Sequence, residues 1–473
     1  MVLLVPVFLW SSDVGAQAPR TAIEFALNRT AKILCSGVFV SGRDVRETLR
    51  NSARRVLAPD AFARLANSDP DGDRVIEVDR GTGLTSVTLD GYTARARYYG
   101  DQGCAILPAG YDDVFFQPVS VRSSLPDAAT MDWPMGDRLP DGPFAEDVDG
   151  EKLEEAVAEA FTEGGLTAAF LVVHRGRIVA ERYGPGTDLH TQLESWSMGK
   201  SLTATLIGVL AQQGRVGLDD PAPISEWRRD PDDPRARIRI RDLLRMSSGL
   251  RFSHAEQPRH EWGREIPDHL FIYADGIDAL HFSITRPVQH PPNTVGRYRN
   301  VDPILLGGIA RRIVEGDGDT WLDWPQRALF DRIGIRRQVM ETDPYGNFLL
   351  PGHDFGTARN WARLGLLYVQ DGVWNGERVL PEGWTEFVTT PAPAWEEPEY
   401  GGLFWLNRAG RFEALPPSAY WMSGAGGQSV IIVPTHDLVV VRMGHADGAG
   451  VGGQALRRAL FKVMEAMEGP RGL

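Results

Sequence analysis

Lysine is nearly missing from this chain. It occurs only at Lys32, Lys152, Lys200 and Lys462, among 50 basic residues in a chain of 473. The bias is compositional background, but it makes each lysine a question about what arginine does not supply there. Cysteine is equally scarce, with Cys35 and Cys104 alone. Their spacing is not C-x-x-C, which argues against redox catalysis and against zinc. In an oxidising compartment the pair reads as a disulfide, and in a reducing one as two buried thiols. Positive charge is outweighed, with a net charge of −13. An acidic surface cannot displace the counterions of nucleic acid, so nucleic acid is not an expected partner. No apolar run approaches the roughly 18 residues of a membrane span. H-E-x-x-H is absent, and His254 and His260 are too far apart to share a helical turn as ligands. Neither a metal site nor a cofactor is expected. G-x-S-x-G, the nucleophile turn of α/β-hydrolases, is absent too.

What remains is an ordinary globular composition. Hydrophobic residues make up 42% and charged residues 24%, enough chain and apolar content for a large core without staples. Residues 1–18 pair an apolar stretch, Val2–Trp10, with an Ala16-Gln17-Ala18 ending. They resemble a signal peptide lacking its usual basic start, which implies a periplasmic or secreted protein. Residues 19–121 read as an N-terminal accessory region. Its helices are predicted over Ala22–Leu34 and Asp44–Leu57, and its strands over Leu84–Leu89, Tyr92–Tyr99 and Cys104–Leu107. Residues 122–148 are rich in Pro, Asp and Gly and read as a connector.

From residue 149 to 473 a second unit is predicted. Helix Glu151–Thr162 and strands Ala168–His174 and Arg177–Tyr183 open it. Strands Ser429–Val433 and Leu438–Met443 and helix Gln454–Met467 close it. Helices Ser197–Gln213, Ile240–Met246, Ile304–Val314 and Thr357–Val369 lie between. The predicted fold is α+β, an antiparallel sheet formed by both ends of this domain, flanked by helices, with a large helical region. The G-x-G-x-x-G at Gly448, Gly450 and Gly453 leaves about 20 residues after it, too few for a dinucleotide-binding βαβ unit. It is read as a glycine-rich loop.

The chemistry concentrates at Ser197-Met198-Gly199-Lys200. Three residues along a helix are about 300° of rotation and about 4.5 Å of rise, which puts Lys200 beside Ser197. A helix N-terminus favours the developing negative charge of a serine nucleophile. Lysine can serve as its base if burial lowers the pKa by roughly 3 units. Arginine cannot, because it does not deprotonate. An N-cap serine beside a snorkelling lysine is the bland alternative. Two further segments follow. Tyr298-Arg299-Asn300 precedes an apolar helix, where a tyrosine can shuttle protons. Ser423-Gly424-Ala425-Gly426-Gly427-Gln428 leads into Ser429–Val433, with glycines that let an edge strand approach a substrate and complete an oxyanion hole.

In order and spacing these three pieces resemble the serine β-lactamase and penicillin-binding superfamily, on its class C and esterase side. The likeness extends over LLRMSSGL (Leu243–Leu250), ARNWARLGLLYVQDGVWNGERVLPEGW (Ala358–Trp384) and GGQSVIIVP, and is most similar to the 6-aminohexanoate-dimer hydrolase branch. The resemblance implies Ser197 as the acylated nucleophile, with Lys200 and Tyr298 as general bases or Tyr298 as donor to the leaving group. It implies Asn300 as an orienting residue for Lys200 or substrate, and the N–H groups of Ser197 and Gln428 as the oxyanion hole. Where β-lactamases carry Lys-Thr-Gly, the aligned strand motif is Ala425-Gly426-Gly427. The missing cation favours a carboxylesterase or linear-amide hydrolase over a β-lactamase or DD-peptidase. Arg299 is a candidate replacement for that charge, and Trp196, Tyr273, Tyr420 and Trp421 are candidates for an acyl pocket. The expected partner is a small-molecule ester or amide, with the oligomeric state open. A penicillin-binding protein and a silent binding protein of the same fold stand as alternatives.

Overall fold

The computed structural model describes residues 20–68, 75–140 and 148–467; the expected signal peptide, with the export it implies, lies outside them. Helix Ala22–Phe39 starts at a capping box, in which Thr21 and Glu24 each accept from the other's backbone. It packs on an antiparallel sheet of Ile76–Asp79, Leu84–Leu89, Tyr92–Tyr98 and Cys104–Ile106, in sequential order. Leu27, Ala31 and Leu34 meet Val87, Ala94 and Ala96 in its core. Cys35 and Cys104 are joined by a disulfide, tying the helix to the last strand. The predicted helix Asp44–Leu57 is divided into an α turn Val45–Thr48, a π turn Leu49–Ala53 and a 3-10 turn Arg54–Val56. Leu57 and Ala58 are extended before Pro59, as the residue ahead of proline requires. Pro59 then opens a separate helix, Pro59–Ala66.

The described part of the expected connector is held by hydrogen bonds to the unit that follows it. Ser123 and Ser124 both donate to the Asp331 carboxylate at 2.6 Å. Arg363 donates to the Pro134 and Gly136 carbonyls at 2.7 and 2.6 Å, and Trp133 Nε1 donates to the Gly176 carbonyl at 2.8 Å.

Beyond it, six antiparallel strands run in the order Trp405–Leu406, Tyr420–Gly424, Gln428–Val433, Leu438–Gly444, Thr167–His174 and Arg177–Tyr183. Both ends of this unit therefore build one sheet, as the α+β reading expects. Strand Thr167–His174 is buried along its whole length, because both faces of the sheet are covered. On one face Leu153, Val157, Leu456 and Leu460, from helices Gly150–Ala160 and Ala449–Met467, meet Phe170 and Val172. On the other, Leu364 and Leu367 of helix Ala358–Val369 share a core with Leu171, Val439 and Val441. Each such buried side chain contributes about 1.5–3 kcal/mol.

Two glycine readings are corrected. Gly450 and Gly453 lie inside helix Ala449–Met467, and Gly448 ends the 3-10 turn before it, so this segment is not a loop. Its small residues make room for Arg442, since a Cβ on Gly452 would stand 1.9 Å from a guanidinium nitrogen. Ala425, Gly426 and Gly427 form a tight turn, not a strand, because Gly426 and Gly427 have φ of +83° and +76°. The strand that follows, Gln428–Val433, is internal to the sheet rather than at its edge.

Candidate active site

Ser197 stands at the N-terminus of helix Met198–Gln212 without making a capping hydrogen bond. Its hydroxyl is therefore free of the role an N-cap serine ordinarily plays. The approach to it is fixed from behind: Leu193–Glu194 pairs with Asp354–Gly356, and the Ser195 N–H donates to the Asp354 carbonyl at 2.7 Å. Trp196 then takes φ of +49°, a conformation costly for a bulky residue and held only where surroundings over-determine it.

Lys200 is 1% exposed. Its Nζ lies 3.0 Å from Ser197 Oγ and 2.9 Å from the Pro351 carbonyl, and 4.7 Å from the centroid of the Tyr298 ring. It has no ion-pair partner among the described residues, and burial pulls its pKa well below the ordinary 10.5. A protonated amine buried without a counter-ion costs several kcal/mol, whereas a neutral one needs only hydrogen bonds. The Pro351 carbonyl reaches Lys200 because residue 199 is glycine. A Cβ there would lie 2.0 Å from the Leu350 carbonyl oxygen. Gly199→Ala is accordingly expected to push Leu350–Pro351 away, with about 1–3 kcal/mol lost from overpacking and turnover reduced about tenfold or more. Urea unfolding and kcat/KM on one preparation check both.

Tyr298 closes the third side. Its ring stacks on Trp405 at 5.5 Å and meets Tyr400 edge-on at 6.2 Å. Burial pushes its pKa above the ordinary 10, with Ser197 acting in the opposite direction. The phenol thus keeps its proton, which suits a donor better than a base.

A serine, a buried unpaired lysine hydrogen-bonded to it and a tyrosine ring from a distant loop thus stand together. The beta-lactamase family model matches residues 153–465, a span that contains all three. The chain belongs to the beta-lactamase family. A 6-aminohexanoate-dimer hydrolase of Paenarthrobacter ureafaciens is 23% identical over 312 residues, covering 62% of this chain and 74% of that protein. A solved structure from Bacillus anthracis, described as a candidate 6-aminohexanoate-dimer hydrolase, superposes with a TM-score of 0.56 at 20% identity. It covers 74% of this chain and 91% of its own. A penicillin-binding-protein homologue from Caulobacter crescentus gives 0.50 at 16% identity, over 67% of this chain and 97% of its own. These likenesses establish the fold. No helix of the described residues is long and apolar enough to cross a membrane.

Other residues expected of a beta-lactamase family member stand differently. Asn300 donates from Nδ2 to the His269 carbonyl at 3.1 Å; the polar partners of Lys200 are Ser197 and Pro351, so Asn300 does not orient it. Asn300 Oδ1 is buried without a partner. Arg299 donates to the Leu250 carbonyl at 2.6 Å and the Arg297 carbonyl at 3.1 Å. These bonds tie Nε and Nη1 to the loop, while its Nη2 is buried without a partner. Gln428 stands opposite Gly424 in the strand ladder, and its side chain is locked to Gly444, accepting from its N–H at 2.7 Å and donating to its carbonyl at 2.5 Å. Only its backbone is left for an oxyanion. Tyr420 and Trp421 pack into the core against Phe404 and Phe412, because successive strand residues face the two covered sides of the sheet. Trp196 and Tyr273 flank His353 instead, at 6.1 and 4.9 Å.

Sequence reasoning missed three positions. Gly424, read only as part of its glycine-rich segment, carries a close approach of its own, since a Cβ there would meet the Ser195 carbonyl oxygen at 2.1 Å. Arg442 holds the adjoining turn by donating to the Gly426 and Gly427 carbonyls at 3.1 and 2.9 Å. An arginine directly after the β-branched run Val439-Val440-Val441, within a strand, was a readable signal. Pro351 had none.

Proposed function

We propose that the protein is a serine hydrolase that cleaves an ester or linear amide through an acyl-enzyme on Ser197. The observation that supports this most is a buried lysine, free of any ion pair, within hydrogen-bond reach of a serine that caps nothing. Neutral Lys200 takes the Ser197 proton as Oγ attacks the substrate carbonyl. The oxyanion is met by the Ser197 N–H and a main-chain N–H of the Gly424–Gln428 turn, Gln428 being the candidate from sequence. As the tetrahedral intermediate collapses, the Tyr298 phenol protonates the leaving group, and the Lys200 ammonium returns the proton it took from Ser197 to the resulting phenolate, leaving Lys200 neutral. Water then repeats the attack on the acyl-enzyme, with Lys200 as base, and Ser197 is restored with its proton.

The glycine-rich turn carries no cation of its own, and Arg299 is held in the interior by the Leu250 and Arg297 carbonyls, which favours esterase or amidase activity over β-lactam turnover. p-Nitrophenyl butyrate is expected to exceed nitrocefin by about 100-fold in kcat/KM, some 2.7 kcal/mol of transition-state stabilisation. Nitrocefin turned over faster than the ester would contradict the substrate class while leaving the nucleophile in place.

A further inference from the structure

The strand pair that fixes the approach to Ser197 also borders a second site. Gln192 immediately precedes Leu193–Glu194, and Thr357 immediately follows Asp354–Gly356. Both line a cavity of about 690 Å³ in which Ser197, Lys200 and Tyr298 take no part. Its walls come from the connector, the loop before Gln192, the loop after Gly334 and the start of helix Ala358–Val369. Arg138, Arg336, Arg337 and Arg363 line it against Asp127 and Asp137. That is a positive balance in a chain of net charge −13.

Two of these arginines meet no carboxylate among the described residues. Arg336 donates to the Pro126 and Met135 carbonyls, each at 2.6 Å, and to the Gly334 carbonyl at 2.9 Å, so its charge is uncompensated. The Arg337 side chain is exposed and makes neither a hydrogen bond nor an ion pair among the described residues. Its backbone is fixed, because Asn360 Nδ2 donates to its carbonyl at 2.7 Å. Arg138 and Arg363, by contrast, are paired with Asp132 and Asp137 at 2.6 and 2.7 Å. Thr357 is the N-cap of helix Ala358–Val369, so the positive end of that helix opens on the same cavity. The independent sign of a ligand is Gln192. It is 5% exposed, its Oε1 is buried without a partner, and its Nε2 makes no hydrogen bond among the described residues. Buried amides are ordinarily satisfied, and an exception asks for an explanation. Rotation about its last side-chain bond presents either its donor or its acceptor end to the cavity. Beside these groups, Leu125, Pro126 and Leu189 give the cavity an apolar wall.

We propose that this cavity binds a small organic carboxylate, met by Arg337 and Gln192 in the field of Arg336, with its apolar body against Leu125, Pro126 and Leu189. A guanidinium with free donors suits a carboxylate, and an apolar wall beside a few polar groups is the ordinary make-up of a small-molecule site. The hydrolysis proposed at Ser197 releases acids of this class, but the site does not depend on that reaction.

The test is calorimetric titration of octanoate, octanamide and acetate into the protein. Octanoate is expected to bind the wild type about tenfold or more tightly than either of the others, since octanamide lacks the charge and acetate the apolar body. Arg337→Gln, which breaks no side-chain hydrogen bond of the fold, should weaken octanoate about tenfold or more, and Arg337→Lys should retain most of the affinity. Treating the protein with a fluorophosphonate first separates this cavity from the Ser197 site. Octanoate binding that persists after labelling supports the cavity, and binding that disappears with the label overturns it. A protein that takes no label counts against the hydrolase reading alone, and the Arg337 variants then decide. Equal octanoate affinities in wild type and Arg337→Gln, equal affinities for octanoate and octanamide, or no octanoate binding to the wild type overturn the proposal.

Discussion

Lys200→Arg is expected to lose at least about 10³-fold in the rate of Ser197 acylation, the scale of a lost general base. Arginine keeps the positive charge and most of the length, but it cannot give up a proton to become a base. Lys200→Ala should fail to a similar extent, and it separates lost basicity from the strain of fitting a guanidinium into a closed site. Circular dichroism on both variants confirms that the fold persists. The pH profile of the wild type carries the same claim. Burial holds Lys200 well below its ordinary 10.5, so the amine is already neutral at pH values where an exposed lysine is charged. As pH falls through that lowered pKa, Lys200 gains a proton and kcat/KM declines. A burst experiment with p-nitrophenyl butyrate measures acylation directly. Near-normal acylation in Lys200→Arg would remove the lysine from the mechanism.

Tyr298→Phe is expected to lose about 10²–10³-fold, and unequally between substrates. The ring packs against Trp405 and Tyr400, contacts that phenylalanine keeps, so the change isolates the hydroxyl. Because burial holds the phenol protonated, its proposed task is to protonate the leaving group. p-Nitrophenolate leaves without help, whereas an alkylamine does not. The loss should therefore be at least about tenfold greater for an N-alkyl amide than for a p-nitrophenyl ester with the same acyl group. Equal losses on both would assign Tyr298 to activation of Ser197 instead.

Much of this arrangement is legible in the sequence because its signals are local. The apolar periodicity after Ser197 gives the helix, and helical spacing alone brings Lys200 to Ser197. The strand runs at 167–183 and 428–444 likewise announce a sheet built from both ends of the catalytic unit. What is not legible depends on long-range placement. Pro351 reaches Lys200 across 151 positions of sequence, and Asn28 reaches Ala274 across 246. No periodicity encodes either contact. Glycines mislead for a different reason. They report that space or a positive φ is needed but not which, so the turn at Ala425–Gly427 and the helix holding Gly450 and Gly453 both read wrongly. Gly199, set in ordinary-looking context, carries one of the close approaches that shape the site.

The central claim is that Ser197 forms a covalent acyl adduct, and intact mass spectrometry after fluorophosphonate treatment tests it most directly. The wild type is expected to gain the mass of one adduct, with none on Ser197→Ala under the same conditions. A wild type that gains no mass while a control serine hydrolase is fully labelled, or a Ser197→Ala variant labelled as readily as wild type, would contradict it.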